Sequence, residues 1–487
     1  MLTIILAWLP FILVFIASLY QPFDADLGWH LKYGEYFFEN GQILRDNLFS
    51  SEMPNFHWVN SSWGTDLISY FFYHNFSFFG LTVLSAGVMT ATFYFFSKAF
   101  RLTTWQQTLL FPMILYFTEP VAVVSFRGQL LSLMLLGLLA WILRIYNEKP
   151  KIALALPVLF MVWSNLHGEF LLGLAVLGLW LGFNLVTEIF VQRTTSLWLG
   201  EVGKQFAWSG IIMAMCGLAT LVNPFGIGVY QEALKHFANP WQQYIIEWLP
   251  FEELSHLWWN QVITGILILF GLLFIFFEGK IKAKLPWIGV SLVMLFMSFA
   301  VKRYAWLMYF LSLSLIYPLP DFVKPSSEKV TKLASLTILS GLILLVVFLK
   351  WPLSQFTNYN WDSYCQKYSH CSPKAVQFLI DNRLDQNLLT YYNWGGYLIW
   401  NYPEIKPSID GRMHLWQDFN GYSAFAYYYP FEQNMTDINR SKYKVVLMGK
   451  EKPMAKRLAE LANEGKWKLV YVDQTAVIYI RLKEHIE

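Results

Sequence analysis

Charge is what this sequence has least of. Only 14% of its 487 residues are Asp, Glu, Lys or Arg, against about 25% in soluble domains. The net charge is +3, which gives no electrostatic footprint for a nucleic-acid partner. Cysteine is almost absent, with three in the chain, so a disulfide scaffold is excluded. The sequence also has no Walker loop, no His-Glu-x-x-His, no Gly-x-Ser-x-Gly and no Gly-x-Gly-x-x-Gly. Without these loops there is no sign of a nucleotide-sugar site inside the cell.

What is present is apolar. Hydrophobic residues make up 56% of the chain and aromatics 18%, and they come in long blocks. The segments with spanning character are Leu2–Tyr20, Phe79–Phe96, Gln107–Val124, Leu130–Tyr146, Ile152–Leu166, Phe170–Phe190, Phe206–Val222, Val262–Phe277, Leu285–Phe299, Tyr304–Pro318 and Leu333–Trp351. The expectation is an α-helical polytopic membrane protein of about 11 transmembrane helices. The first segment lacks a basic start and a small-residue cleavage site, and reads as a retained anchor.

Lys and Arg collect in alternate short loops: Lys98 and Arg101; Arg144, Lys149 and Lys151; Arg193 and Lys204; Lys280, Lys282 and Lys284; Lys324, Lys329 and Lys332. The positive-inside rule makes these loops cytoplasmic. The N-terminus is then inside, and both the first loop (21–80) and everything after Trp351 lie outside. The domain organisation expected is a transmembrane domain over 1–351 and a small extracytoplasmic α/β domain over 352–487.

The outward face carries the chemistry. Its loops hold "FDADLGWH", "NSSWGTD", "SFRGQ", "WSNLHGEF", "LVNPFG", "IIEWLPF" and "AVKRYAW". Arg127, His167, Glu169, Glu247 and Arg303 fall at predicted membrane boundaries, where ionisable groups are costly unless they face protein or a watery cavity. Each has a plainer explanation alone: arginines snorkel, an acid suits a helix start, Asn223-Pro224 ends a helix. All lie on one side, and that joint placement points to a polar cavity open to the outside.

In the first loop, Asp24 and Asp26 point the same way only if the segment is extended. Asp26 also suits the N-cap of a following helix, whereas Asp24 has no such local role. After Asp26, the residues Leu27, Leu31, Gly34 and Phe38 share a face, as in an amphipathic helix lying on the interface. "TDLISYFFYHNF" is expected to form a second one.

In the tail, "NLLTYYNWGGYLIWNYP", "IKPSIDGRM", "YKVVLMG", "WKLVYVD" and "AVIYIRL" read as strands. "SPKAVQFLIDNR" and "PMAKRLAELANEGK" read as helices, the second closed by Gly465. Cys365 and Cys371 suit an external disulfide. Gly395-Gly396 marks a tight turn or a close backbone approach. Asp410, Arg412 and His414 sit in "IDGRMHLW", either as an Asp-Gly turn with a surface ion pair or as a phosphate-holding loop.

The order of these features resembles the GT-C class of integral-membrane glycosyltransferases: an N-terminal span, an Asp-x-Asp motif, a long external first loop, many spans and an external tail. That class includes protein mannosyltransferases, aminoarabinose transferases and oligosaccharyltransferases. "DADLGWHLKYGEYFFENGQI", "NLHGEF", "LVNPFG", "IIEW" and "NWGGYLIW…SIDGRM" more closely resemble a bacterial group of polytopic GT-C-like membrane proteins, over most of the chain. The resemblance implies transfer of a sugar from a polyprenyl-phosphate-type lipid to a glycan, lipid or protein acceptor on the outer face of a bacterial plasma membrane. It maps the acidic motif onto Asp24 and Asp26 as catalytic residues. His30, Arg127, His167, Glu169, Glu247, Lys302, Arg303, Asp410 and Arg412 are the candidates for binding substrate and phosphate. Some members of the class use a divalent ion, so Mg2+ or Mn2+ on Asp24, Asp26 and His167 enters as an expectation. Two other readings stand beside this one: a ligase or polymerase using a lipid-diphosphate-linked glycan, and a non-enzymatic transporter or lipid-handling protein. The absence of an internal repeat weighs against transport.

Overall fold

The computed structural model describes residues 2–124, 126–146, 148–192, 201–238 and 240–482. Ser125 and Arg193, used above, lie outside the described residues. Among the described residues, thirteen α-helices run through the first part of the chain: α1 (Leu2–Ala17), α2 (Leu27–Asn40), α3 (Trp63–Phe100), α4 (Thr104–Ala122), α5 (Gly128–Tyr146), α6 (Leu156–Leu166), α7 (Phe170–Gln192), α8 (Glu201–Ala219), α9 (Gly228–Ala238), α10 (His256–Phe277), α11 (Ile281–Ala300), α12 (Ala305–Ile316) and α13 (Glu328–Leu349). The remainder holds α14 (Ser354–Thr357), α15 (Trp361–Tyr364), α16 (Pro373–Asp381), β1 (Leu388–Thr390), α17 (Gly395–Asn401), α18 (Ala424–Glu432), β2 (Val445–Gly449), α19 (Pro453–Asn463), β3 (Trp467–Val472) and β4 (Ala476–Arg481).

Among the described residues, six helices are long and apolar enough to cross a membrane: α3, α5, α7 over Phe170–Ile189, α10, α11 and α13. The segments 4–17 and 150–166 are apolar but shorter. The exposed surface of the long helices is itself apolar. Phe277 is 81% exposed, Phe296 80% and Phe348 77%, which in water would be an aggregation surface and in lipid is the normal outer face.

The chain divides into two compact units. The first comprises Met1–Gln21, Leu81–Val229 and Gln243–Phe356. Its centre is α12, whose twelve residues are all buried. A helix that is apolar all round must be enclosed on every side, and α4, α5, α10 and α11 pack around it. Its serines are satisfied internally: Ser312 Oγ donates to the Tyr309 carbonyl at 2.7 Å, and Ser314 Oγ pairs at 3.1 Å with Ser291 Oγ, which also donates to the Leu311 carbonyl at 3.2 Å. This arrangement fixes the start of α12, just after the 3-10 turn that carries Lys302 and Arg303.

The second unit comprises Pro22–Gly80, Tyr230–Gln242 and Thr357–Glu487. The expected amphipathic α2 forms, with Leu27 and Leu31 of its apolar face buried and Phe38 52% exposed. It packs on α17 within this unit. Gly28 and Gly396 make that possible: a Cβ on Gly28 would lie 1.9 Å from the Gly396 carbonyl oxygen, so both positions require glycine for backbone to meet backbone. The expected second helix of the first loop is the start of α3. A break at Ser77 (φ 55°, ψ −154°) separates it from the apolar stretch that follows.

The tail carries a four-stranded mixed sheet of order β1-β2-β4-β3. β1 pairs parallel with β2, while β4 runs antiparallel to both β2 and β3. β2 is buried along its whole length. Both expected helices form. α16 is capped by Ser372 Oγ accepting from the Ala375 N–H at 3.0 Å, and α19 is followed by Gly465 at φ 73°. Two expected strands do not form. "WGGYLIW" becomes a 3-10 turn followed by α17, because Gly396 meets α2 there. "IKPSIDGRM" stays irregular up to a short turn at Met413–Leu415, its polar groups being used in side-chain contacts. Cys365 and Cys371 form a disulfide, and Cys216 is buried and free.

Candidate functional site

Two clusters of ionisable side chains emerge, one in each unit. In the first unit, the candidates sit at five element ends. Arg127 immediately precedes α5, His167 follows α6, and Glu169 precedes α7. Glu247 lies on the 3-10 turn Ile246–Trp248, and Lys302 and Arg303 on the 3-10 turn Lys302–Tyr304 between α11 and α12. The turns are tied together: the Lys302 N–H donates to the Leu249 carbonyl at 3.0 Å, and the Arg303 guanidinium lies 5.4 Å from the Trp248 ring. "NLHGEF" is tied to "LVNPFG" in the same way, by Asn165 Nδ2 donating to the Val222 carbonyl at 2.8 Å. Asn223 then closes its own turn, accepting from the Phe225 N–H at 2.8 Å.

Arg303 is the hub. Its Nε donates to Glu169 Oε1 at 2.8 Å, Nη1 to Glu247 Oε2 at 3.3 Å, and Nη2 to His167 Nε2 at 3.3 Å. Arg127 Nη1 donates to the other oxygen of Glu247 at 3.4 Å. A guanidinium can only donate, so His167 Nε2 accepts and the ring is neutral with its proton on Nδ1. Ser132 Oγ, 2.9 Å from Nδ1, receives that proton's hydrogen bond and a second one from Trp163 Nε1 at 2.9 Å. Burial pushes the His167 imidazole below its ordinary 6.5, and Arg303 and Arg127 push the same way against Glu169. Burial opposes the Glu169 charge, yet the His167 Nδ1–H, 3.5 Å from its Oε2, and the Arg303 guanidinium hold that carboxyl below the usual carboxylate range. Burial likewise opposes Glu247, and the two arginines keep it below the usual carboxylate range.

The neighbouring backbone makes room for the imidazole. A Cβ on Gly128 would lie 2.4 Å from His167 Cδ2, so the ring rests on the first residue of α5. Lys302 stands apart from this network, with Nζ 5.9 Å from the Phe251 ring centroid.

In the second unit, the Asp24-Ala25-Asp26 segment is a turn rather than an extended strand, and the expected roles of its two carboxylates are exchanged. Asp26 occupies the N-cap position of α2 in helical backbone geometry and makes no side-chain cap bond. Asp24 supplies the local support: its Oδ1 accepts from the Asp26 N–H at 3.0 Å, and it is 4% exposed. The Asp24 carbonyl accepts from Tyr364 Oη at 2.8 Å. Asp26 is half-buried, with its carboxylate lying against Gly411.

His30 follows one turn later and brings in a residue that the sequence reading passed over. Its Nδ1 is 2.5 Å from Oδ1 of Asp66, which is wholly buried. The other oxygen of Asp66 accepts from Asn60 Nδ2 at 2.7 Å. A buried carboxylate that orients an imidazole is the usual way of fixing its tautomer. Burial works against a charged His30, but Asp66, Asp24 and Asp26 outweigh it and raise its pKa above the ordinary 6.5. The signal was present in "NSSWGTD", whose final residue is Asp66. The 36-residue separation hid the pairing.

Asp410 and Arg412 require a correction. They are not a surface pair, because both side chains are fully buried. Arg412 donates to Asp410 at 2.7 and 2.8 Å, and to Asn47 and Ser50 at 3.1 Å each. Ser50 also donates to Asp410. Phe49, Trp58, Trp416 and Trp29 surround the guanidinium at 5.1–6.0 Å, which favours a cation through the ring faces. The pair fastens the first loop to the tail within this unit. Glu52 does the same, taking Tyr422, Tyr443 and Lys442 as donors at 2.7–2.8 Å.

Among the described residues, no group of three or more His, Cys, Asp or Glu side chains is disposed to hold a metal ion. Of the three residues that the resemblance implied for Mg2+ or Mn2+, Asp24 and Asp26 belong to the second unit and His167 to the first.

The chain has neighbours among solved structures. It matches ArnT from Cupriavidus metallidurans bound to undecaprenyl phosphate with 11% identity and a TM-score of 0.49, over 99% of this chain and 98% of that one. It matches the apo form of the Archaeoglobus fulgidus oligosaccharyltransferase with 10% identity and a TM-score of 0.49, over 99% of this chain and 75% of that one. No protein-family model matches the chain, and no curated protein matches it.

Proposed function

We propose that this chain is a membrane glycosyltransferase that moves a sugar from a polyprenyl-phosphate-type lipid donor to a glycan, lipid or protein acceptor on the extracytoplasmic face. The observation that carries the reading is Arg303, held by Glu169 and His167 on the turn between the apolar helices α11 and α12. A fixed guanidinium matches phosphate oxygens, and preorganised charge is what a departing phosphate needs. The ordered motifs of the outward loops support the same class.

In this reading a first-loop carboxylate takes the proton from the acceptor hydroxyl. The acceptor oxygen bonds to the anomeric carbon, the bond from that carbon to the phosphate oxygen breaks, and the polyprenyl phosphate leaves with the electron pair. Arg127 and Arg303 stabilise the charge that develops on it. Asp26, half-buried, is the more accessible of the two carboxylates, Asp24 being 4% exposed. No step is routed through a metal.

The same reading puts the N-terminus in the cytoplasm of a bacterial cell and the tail outside its plasma membrane, supported by the Lys and Arg of alternate loops. A cysteine introduced near Ser51 then labels from outside and one near Ser327 only from inside. The direct test is purified protein in lipid nanodiscs with a panel of polyprenyl-phosphate sugars, reading release of the lipid phosphate. Release that disappears in both Asp26→Asn and Arg303→Ala supports the assignment. Full release in both variants refutes it.

A further inference from the structure

The two carboxylates that meet Arg303 are not equivalent. Glu169 is 10% exposed and contacts Arg303 Nε at 2.8 Å. Glu247 is 44% exposed, sits on a three-residue turn, and makes its two arginine contacts at 3.3 and 3.4 Å. The first is a strut and the second is loosely held.

Glu247 also has a particular stance. It presents one oxygen to Arg127 and the other to Arg303. Two guanidiniums would offer a phosphate the same arrangement, one oxygen each. We infer that the Glu247 carboxylate is a built-in placeholder that occupies the phosphate position between Arg127 and Arg303 and swings aside when a phosphate enters.

Charge gives the placeholder a direction. With His167 neutral, Arg127, Arg303, Glu169 and Glu247 sum to zero. Once Glu247 moves away, the three remaining charges leave +1, which matches a singly charged phosphodiester such as a glycosyl polyprenyl phosphate. Transfer converts that diester into a phosphate monoester, whose second ionisation lies near pH 6. The product then carries more negative charge than the site balances. Return of Glu247 to the arginines favours its departure.

The lipid part of this inference rests on the proposed function, whereas the placeholder itself does not. The test therefore uses two probes on detergent-purified protein, inorganic phosphate and a short-chain polyprenyl phosphate, with binding measured by calorimetry. Glu247→Gln is expected to tighten both by about tenfold, equivalent to about 1.4 kcal/mol. Glu247→Asp, which keeps the charge but shortens its reach, should fall between Gln and the parent. Arg127→Ala in the Glu247→Gln background should abolish the gain. Unchanged or weaker phosphate binding in both Glu247 variants, with unaltered thermal unfolding, overturns the placeholder. Tighter inorganic phosphate without any polyprenyl-phosphate binding upholds the placeholder and removes the lipid-donor reading. In single- against multiple-turnover assays, Glu247→Gln should slow only the multiple-turnover rate. Equal slowing of both would overturn the role in product departure.

Discussion

Arg303 Nε donates to Glu169 Oε1 at 2.8 Å, and both side chains are largely withdrawn from solvent. Such a pair contributes little net stability while intact, but breaking it from one side leaves a charge stranded. Arg303→Ala should therefore lower the unfolding temperature in detergent. A buried charge left without its partner costs about 3–5 kcal/mol, and the residual exposure here reduces that figure. Arg303→Lys should restore part of the stability but little of the transfer rate, with a loss of about a hundredfold or more, because an ammonium cannot address Glu169, Glu247 and His167 together. Recovery of both by Lys would mean that point charge alone suffices.

Gly128→Val is expected to displace the His167 ring, since even a Cβ would lie 2.4 Å from it. Transfer should fall by about tenfold or more while protein abundance in the membrane holds. Gly128→Ala should show a smaller effect in the same assay. Wild-type rates in Gly128→Val would detach His167 from function.

The His30–Asp66 pair predicts a pH dependence. His30 has a folded-state pKa above its ordinary 6.5. Its stabilising contribution is therefore complete below 6.5 and is lost as pH rises through the higher folded value. Activity that uses protonated His30 should decline on that alkaline side. Asp66→Asn removes a main support of the charged form, so the decline should move to lower pH. A profile unmoved by Asp66→Asn would disconnect the pair from the reaction.

Arg412→Ala should be among the most destabilising single changes in the second unit, at about 3–5 kcal/mol, because it leaves Asp410 buried and uncompensated. Replacing both members by apolar residues of similar volume should cost far less. Thermal unfolding followed by tryptophan fluorescence would report this, with Trp58 and Trp416 beside the site. Equal losses in the single and double variants would contradict the argument.

The helical character and the cluster around Arg303 were legible because both are written locally. Apolar runs mark the spans, and Arg127, His167, Glu169, Glu247 and Arg303 each sit beside a helix end. What was not legible depends on distance along the chain. Asp66 reads as a helix-start acid until His30 is seen against it. Asp410 and Arg412 read as a surface turn because nothing nearby says that Phe49 and Trp58 will enclose them. Length misleads as well: α12 has only twelve residues yet is the most enclosed helix of its unit. "WGGYLIW" has the composition of a strand, and its helical state follows from Gly28 approaching Gly396.

The contacts that fasten the first loop to the tail also impose an order in time. Ser50 and Asp410 are 360 positions apart. At ordinary synthesis rates of about 5–20 residues per second, the loop waits roughly twenty to seventy seconds for its partner. Throughout that interval Trp29, Trp58 and the face of α2 have no tail to cover them. Any truncation before the "IDGR" turn would leave a first loop permanently in that state. Loss of the last hundred residues should therefore be felt first near the N-terminus, as a protease-sensitive loop rather than a missing tail.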